Sequence, residues 1–489
     1  MKRVTQRYRE TLPTRLAALA LVVTMLPGCA LIPPMKAFGK MMSGDSLQTA
    51  KSFTGPAIAW PQTDWWRAYG DPQLDSLIDE ALKNSPDLRL AAARLRMAGA
   101  GVQAADGALL PQVSANALIT EEKQSYNYLS PKAATPQDWN DYGRVTVNFS
   151  WDLDFWGKNK SALGAATSEQ EAARAEQAQV RLILSSAVAS AYAELAHLYT
   201  VLDSAKAALV VREKSADLFR QRYRNGLETL GGVRQVEART AAAKGEVLAM
   251  EERIALVKNS IAALAGAGPD RGLAITRPRI DIAASAGLPD NLALELLGRR
   301  PDIVAARLRV EAAAKRIDQR KAEFYPNVNL MAFIGVHSLG LNMLTKGGSN
   351  VGAIGPAISL PIFNTKRLEA QLDGAYAEYD AAAATYNATL LHTLREVADA
   401  ATSRRLLDNQ LQTRNQAYQL AKEAHAIAKR RYEGGLSTYL DVLTAEDHML
   451  STQQALSEMQ TRAFTLDVAL TRSLGGGYGS AEARQGKGA

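Results

Sequence analysis

Two stretches of more than sixty residues without proline constrain the fold of this chain more than any other feature. Residues 158–223 and 366–432 contain no Pro and one Gly each. At a rise of about 1.5 Å per residue, a helix of this length is a rod of roughly 100 Å. An ordinary globular domain has no room for such a rod. Each stretch ends at a turn, Asn225-Gly226 or Gly434-Gly435, and a further helical segment follows.

Apolar residues in both stretches recur at spacings of three and four, which is typical of coiled-coil packing. The repeated positions are Leu195, Leu198, Leu202, Ala205, Leu209, Ala216, Phe219 and Tyr223 in the first stretch, and Leu407, Leu411, Tyr418, Ala421, Ala428 and Tyr432 in the second. Arg212, Arg414 and His425 interrupt the pattern. The sequence therefore predicts two long helical hairpins that stand side by side, at about 158–267 and 366–474.

The two hairpins belong to an internal duplication. Pro86-Asp87 and Pro111 recur as Pro301-Asp302 and Pro326, a shift of 215 residues, and Arg222-Tyr223 recurs as Arg431-Tyr432, a shift of 209. We expect a first repeat at 61–270 and a second at 271–474, each containing helices, a strand pair and a hairpin. Residues 475–489 begin with Gly475-Gly-Gly-Tyr-Gly479, which predicts a flexible tail.

Each repeat also contains extended segments. Residues 144–155 alternate between apolar and polar side chains without an exception, which predicts a strand with one apolar face. The weaker candidates are 112–120, 327–338 and 351–363, the last interrupted by Pro356 and Pro361. Membrane-spanning strands contain about 9–11 residues. The pattern fits such strands, and a half-buried strand of a soluble sandwich is the alternative.

The amino terminus has the organisation of an export signal. Residues 1–28 hold five basic residues and one acidic residue, followed by a short apolar run. Without this segment the formal charge falls from +7 to +3, which does not suggest a nucleic-acid binder. The run ends Leu26-Pro27-Gly28-Cys29 and resembles the lipobox of bacterial lipoproteins, which implies lipid attachment at Cys29 in a 29–60 extension. An incidental cysteine after a plain signal peptide is the alternative.

Four strands cannot close a membrane barrel, because the smallest single-chain barrels have eight. An open sheet edge in lipid leaves unpaired backbone groups at a cost of several kcal/mol each. If the strands span a membrane, eight must come from a dimer or twelve from a trimer. The expected fold class is therefore mainly α with a small β part, a two-fold repeated protomer that assembles into a conduit.

Several motifs resemble the outer-membrane efflux lipoproteins of the NodT type, in the wider TolC family. The resemblance covers about 45–475 and rests on Trp65-Trp66-Arg-Ala-Tyr-Gly70-Asp71-Pro72, on Leu297-Gly-Arg299-Arg300-Pro301-Asp302-Ile303, on the two Arg-Tyr…Gly repeats, and on Asp441-Val442-Leu443-Thr-Ala445-Glu446. It implies a homotrimer with a twelve-stranded barrel and a twelve-helix periplasmic tunnel. It also implies a periplasmic adaptor and an inner-membrane pump, usually of the resistance–nodulation–division type, that supplies the energy.

The resemblance also suggests roles for individual residues. Asp441 matches an acidic position at the closed periplasmic mouth, and the alternative is an Asp that stabilises the start of its helix. Thr444 and Ser437 depart from an acidic and a basic position of the family. The turns are expected to be adaptor-docking tips, with Gly226, Gly435, Arg222 and Arg431 as candidates.

No constellation of residues suggests an enzyme, a metal site or a cofactor. The five His residues are scattered, and the sequence contains no phosphate-binding loop and no nucleophile elbow. Arg300-Pro301-Asp302 is expected to be structural, as the start of a helix. The predicted function is a passive outer-membrane exit duct for small molecules. The alternatives are the outer-membrane duct of a type I protein secretion system and a periplasmic coiled-coil scaffold without a pore.

Overall fold

The computed structural model describes residues 39–43, 49, 51–53, 58–127, 132–279, 289, 292–361 and 364–479. The signal segment and Cys29 lie outside these ranges. The chain divides into two compact units. Of the described residues, the first unit comprises those within 39–41, 96–172 and 307–385, and the second comprises those within 42–95, 173–306 and 386–479. No helix among the described residues is long and apolar enough to cross a bilayer.

Apart from one four-residue helix that follows the first hairpin, both halves of the chain have the same order of elements. They are α1 (Pro72–Asn84), α2 (Pro86–Gly107), β1 (Gln112–Lys123), β2 (Trp139–Asp152), α3 (Lys158–Arg224), α4 (Leu230–Leu264), α5 (Asp270–Leu273), α6 (Leu292–Arg299), α7 (Pro301–Ala322), β3 (Asn327–Leu339), β4 (Asn350–Ser359), α8 (Thr365–Glu433) and α9 (Tyr439–Ser473). The bounds of α2 and α7 differ by 215 residues, and those of α4 and α9 by 209, which are the shifts of the sequence motifs.

The first unit contains one sheet, with strand order β1-β2-β3-β4 and every neighbouring pair antiparallel. The strand predicted at 144–155 begins earlier, at Trp139, and ends at Asp152. It ends there because Asp154 adopts a φ of 42° and Gly157 a φ of 73°, which turn the chain into α3. Phe155 is therefore a turn residue.

The last strand contains Pro356, and Pro361 lies beyond its end. Within the described part of the chain β4 pairs only with β3, and Pro356 lies opposite Leu330. A proline has no N–H to donate, so this position contributes no ladder hydrogen bond as a donor. The strand ends at Ser359, two residues before Pro361, rather than at the predicted residue 363.

The second unit contains most of the coiled-coil seam. Leu195, Leu198 and Leu202 are buried in one cluster that also contains Val247 and Ile254 of α4. Towards the end of α3, Phe219 packs with Val233 and Val236. The seam predicted for the first long stretch is confirmed as far as Phe219, whereas Tyr223 at its end is 44% exposed.

A buried polar network joins the start of α1 to α3. The Tyr192 hydroxyl donates to Asp71 Oδ2 at 2.7 Å, and Gln73 Nε2 donates to the same hydroxyl at 2.7 Å. Burial and the hydrogen bond to Asp71 raise the pKa of Tyr192. Trp66 and Leu74 lie in the same core cluster. The Trp-Trp motif of the sequence therefore anchors this segment to the long helix.

The expected structural role of Arg300 fits its contacts within the second unit. Its guanidinium is buried, bridges Asp302 and Glu396, and donates to the backbone carbonyl of Ser473. Asp302 in the first turn of α7 also accepts from the Ile303 N–H at 2.9 Å. These bonds tie the start of α7 to α8 and to the end of α9.

The glycine-rich segment after α9 differs from the predicted flexible tail. Gly475 and Gly477 are buried. A Cβ at Gly475 would overlap the carbonyl oxygen of Arg299, and one at Gly477 would overlap the backbone of Gln62. The glycines therefore allow close packing of backbone against backbone. Residues 480–489 of the predicted tail lie outside the described ranges.

Candidate functional site

One face of the sheet is apolar across all four strands. The register places Val147 between Ala115 of β1 and Ile334 of β3, and Ile334 opposite Gly352 of β4. The residues of this face between the strand ends are Val113, Ala115, Ala117, Ile119, Gly143, Val145, Val147, Phe149, Trp151, Val328, Leu330, Ala332, Ile334, Val336, Gly352, Ile354, Pro356 and Ile358. On β2 the band runs from Gly143 to Trp151, about the length that crosses a bilayer as a strand.

This apolar face is exposed. The exposed fraction is 79% for Ile354, 71% for Ile334 and 68% for Val113 and Ile119. Soluble monomers seldom expose a continuous apolar surface of this size. The face therefore requires lipid or another apolar surface against it.

Aromatic residues lie near both ends of the band. Trp139 is 68% exposed where β2 begins, and Phe155 and Trp156 are 67% and 49% exposed in the turn that follows it. The Trp156 indole donates to the Pro326 carbonyl at 2.8 Å and its ring stacks on Tyr325. Aromatic girdles at both edges of an apolar band are typical of membrane barrels.

The opposite face of the sheet is polar along most of β1 and β2, whereas β3 and β4 contribute Met331, Phe333 and Ala353 to it. Thr146 lies between Asn116 and Gly335, and Asn148 lies between Ser114 and Phe333. A groove of about 790 Å³ runs over this part of the sheet, and its lining includes Ser114, Asn116, Thr146, Asn148, Phe333 and Arg144. A wet polar face behind an apolar face is the arrangement of a barrel wall with an aqueous interior.

The sheet does not close on itself. Within the described part of the chain, β1 and β4 each pair with a strand on one side only. Both edges leave backbone donors and acceptors that need partners in an apolar environment. Strands of other subunits can supply them.

The two hairpin turns have nearly identical geometry. Gly226 and Gly435 have φ values of 75° and 71°. The Leu227 N–H donates to the Arg222 carbonyl at 2.8 Å, and the Leu436 N–H donates to the Arg431 carbonyl at the same distance. Each turn is therefore a helix C-cap that needs a left-handed residue.

A leucine that the sequence analysis did not single out follows each of these glycines. Leu227 is 66% exposed and Leu436 is 74% exposed. The internal duplication could have identified these leucines from the sequence, because a shift of 209 residues aligns Gly226-Leu227 with Gly435-Leu436. Each hairpin thus presents an apolar side chain at its end.

The two arginine candidates at the turns have different surroundings. Arg222 Nη1 donates to the Tyr432 hydroxyl at 3.0 Å, and the guanidinium lies 5.9 Å from the centre of that ring. Tyr432 in turn packs edge-on against Tyr439 of α9. Arg222 therefore joins the first hairpin to the second, whereas Arg431 is exposed.

Asp441 lies in the first turn of α9 and is exposed. Its Oδ2 accepts from the backbone N–H and from the hydroxyl of Thr438, both at 3.0 Å. The corresponding residue of the first hairpin is Gly232, and there the carboxylate of Glu228 accepts from the Thr229 N–H at 2.9 Å instead. Thr444, at the second acidic position of the family, donates its hydroxyl to the Leu440 carbonyl.

Two adjacent acidic residues farther along α9 have different surroundings. Glu446 is only 3% exposed. Burial raises its pKa, against the attraction of Arg212. The neighbouring Asp447 accepts from Arg212 Nη2 at 2.7 Å and lies 3.6 Å from Arg239 Nη1. These charges connect α9 with α3 and α4.

Among the described residues, no group of three or more His, Cys, Asp and Glu side chains could hold a metal ion. The His197 ring nitrogen Nδ1 lies 3.2 Å from the Ser457 hydroxyl.

The model of the outer membrane efflux protein family matches residues 77–267 and 292–476, which include both repeats. The chain belongs to this family. It is 30% identical to the multidrug resistance outer membrane protein MdtP of Escherichia coli K12, over 93% of this chain and 94% of the relative. It is 38% identical to the fusaric acid resistance protein FusA of Burkholderia cepacia, over 74% of this chain and 69% of the relative.

The fold is that of solved outer-membrane channels. The outer membrane protein VceC of Vibrio cholerae aligns with a TM-score of 0.81 and 48% identity, covering 86% of this chain and all of that one. The outer-membrane channel OprN aligns with a TM-score of 0.79 and 26% identity, covering 92% and 99%. The protein is therefore an outer-membrane efflux channel with a long periplasmic helical part. Channels of this family form trimers and work with inner-membrane pumps and adaptors.

Proposed function

We propose that three copies of this outer membrane efflux protein form a passive exit duct for small molecules. The main support for this proposal is the sheet, which has an exposed apolar face, a polar face and two edges without a partner strand among the described residues. Pairing β1 of one copy with β4 of the next satisfies both edges and gives a closed barrel of twelve strands. Closure is what a sheet in lipid requires.

In this assembly the apolar face contacts lipid and the polar face lines the passage. The aromatic residues near the ends of the band lie at the two membrane interfaces. A periplasmic adaptor and an inner-membrane pump of the resistance–nodulation–division type are the proposed partners. The pump supplies the energy, and this chain supplies the path.

Lipid attachment at Cys29 is a further part of the proposal. Its support is the sequence Leu26-Pro27-Gly28-Cys29 at the end of the apolar run. Buried acyl chains contribute about 0.8 kcal/mol per CH₂ group to membrane binding. The anchor would place the 29–60 extension at the membrane surface.

The ends of the hairpins are the proposed contact with the adaptor. Support comes from Gly226 and Gly435, which shape the turns, and from the exposed leucines that follow them. Arg431 is exposed and available for such a contact, whereas Arg222 is engaged with Tyr432. Three copies of Asp441 would form a carboxylate ring at the periplasmic mouth, and rings of this kind favour cations.

A type I protein secretion duct has the same fold and is the second candidate. The relatives favour small molecules, because their names refer to multidrug and fusaric acid resistance. A scaffold without a pore would leave the exposed apolar face of the sheet unexplained.

The proposed assembly can be tested with a matched pair of variants. Ile334→Lys places a charge on the apolar face, where it costs about 2–4 kcal/mol at mid-bilayer. Asn148→Lys places the same charge on the polar face. We expect the wild type and Asn148→Lys to be extracted only in detergent, as long particles of three protomers that conduct in planar bilayers. Ile334→Lys should lose membrane assembly. A wild-type protein released as a monomer without detergent would refute the duct.

A further inference from the structure

Arg144 lies on the polar face of the sheet, in the part of β2 that carries the apolar band on its other side. It pairs with Leu118 of β1 and with His337 of β3. Its guanidinium carbon lies 5.7 Å from the centre of the Phe333 ring, a cation–π contact that holds the charge over the polar face. The side chain is exposed to the groove on this face.

Arg144 is unusual because it has no acidic neighbour. Among the described residues, no carboxylate lies within ion-pair distance of it. Glu122 is the nearest acidic residue on the same face, and its partner Asn140 is four positions from Arg144 along β2. Asp152, at the other end of β2, is already paired with Lys158 at 2.9 Å. Between those two levels Arg144 is the only Arg, Lys, Asp or Glu that the described strands carry on this face.

Burying an unpaired guanidinium in lipid is costly, and such residues within membrane segments face water and mark solute pathways. The pairing register of β2 places Arg144 on the polar face of the sheet, where water can reach its guanidinium group. We propose that Arg144 is a selectivity-determining residue of the passage, and that its three copies form a cationic ring that favours organic and inorganic anions over cations. The inference rests on the proposed trimeric duct and adds a selectivity element to it.

The ring opposes the charge proposed for the periplasmic mouth. Asp441 contributes carboxylates on the helical side, and Arg144 contributes guanidinium groups within the barrel. A carboxylate ring attracts cations and a guanidinium ring repels them, so the two proposed rings act on ion selectivity in opposite directions. The effect of Arg144 is therefore best measured both in the wild type and in an Asp441→Asn channel.

The first test is electrical. Reversal potentials in planar bilayers under a KCl gradient should show that Arg144→Gln raises the cation-to-anion permeability ratio by about two- to fivefold at low ionic strength. The change should shrink as salt is raised, because mobile ions screen the ring. Arg144→Lys retains the charge and should keep the wild-type ratio. An Arg144→Gln ratio equal to that of the wild type in both backgrounds would overturn the inference.

The second test locates the side chain. Arg144→Cys and the adjacent Val145→Cys are treated with a membrane-impermeant, negatively charged thiol reagent, with reagent-treated wild type as the baseline. We expect modification of Arg144→Cys to raise the cation-to-anion permeability ratio further and Val145→Cys to remain unmodified. Modification of Val145→Cys alone would show that the opposite face lines the passage, and would overturn the inference.

The trimeric duct and the selectivity role of Arg144 can be refuted separately. Trimeric channels that conduct but show no effect of residue 144 would leave the duct intact and remove the selectivity role. Failure of the wild type to form channels would refute the duct itself, and the selectivity role with it.

Discussion

Asp441 accepts a hydrogen bond from the backbone N–H of Thr438, and the same carboxylate oxygen accepts from the Thr438 hydroxyl. These two hydrogen bonds lie at the start of α9, the returning helix of the second hairpin. In the first hairpin Glu228 Oε1 accepts from the Thr229 N–H at 2.9 Å, and the Thr229 hydroxyl accepts from the Gly232 N–H at 3.1 Å. Both returning helices therefore begin beside a carboxylate, which comes from the turn in the first hairpin and from the first turn of the helix in the second.

Two substitutions of Asp441 separate helix capping from the proposed gate. Asp441→Asn keeps an oxygen that can accept from Thr438 and removes the charge. Asp441→Ala removes both, at a cost of about 0.5–2 kcal/mol in helix stability. We expect both variants to lower the preference for cations in planar bilayers, and only Asp441→Ala to lower the melting temperature. An unchanged reversal potential in Asp441→Asn would limit Asp441 to capping.

The exposed leucines of the turns should be required for adaptor binding. Burying a leucine side chain stabilises a complex by about 1.5–3 kcal/mol. Leu227→Ser and Leu436→Ser should therefore each weaken binding to the purified cognate adaptor by about tenfold or more. Leu256→Ser, at a position 59% exposed on α4, is the matched control. Equal affinities for all three variants would contradict the assignment of the tips.

Cys29 should be the site of lipid attachment. In cells given labelled palmitate, the wild type should incorporate label and Cys29→Ala should incorporate none. Cys29→Ser offers a second comparison, because its side chain has nearly the same size and cannot form the thioether. Label in either variant would refute the lipobox interpretation.

Glu446 should make stability depend on pH. Burial raises the pKa of Glu446, so ionisation of this carboxyl lowers the free energy of unfolding. This loss of stability is absent at pH values below the ordinary glutamate range and complete above the raised pKa. Glu446→Gln removes that charge. We expect it to raise the melting temperature of the detergent-solubilised protein at pH 7.5 and to change it little at pH 4.

The control for this experiment is Glu423→Gln, at an exposed position of α8. It should leave the melting temperature nearly unchanged at both pH values. A lower melting temperature of Glu446→Gln at pH 7.5 would mean that attraction by Arg212 and Arg239 outweighs burial.

Much of the architecture could be predicted from local patterns. The long helices follow from stretches without proline, and their ends follow from Gly226 and Gly435, where the chain needs a left-handed residue. The limits of the strands were harder to predict. Residues 144–155 continue to alternate beyond Asp152, but the positive φ of Asp154 ends the strand. Periodicity reports which face a side chain prefers and does not report where the backbone turns.

By itself the sequence determined the duplication, the helical hairpins, the alternation that marks a two-faced sheet, and the candidate anchor at Cys29. These features are encoded in the spacing of neighbouring residues. Only the tertiary structure decided that Glu446 is buried, that Arg222 contacts Tyr432, and that Gly475 and Gly477 are packed. It also decided that Arg144 lies opposite His337, with no carboxylate of the described residues within ion-pair distance. Each of these depends on which distant segments meet, because burial and charge pairing are properties of contacts rather than of single residues.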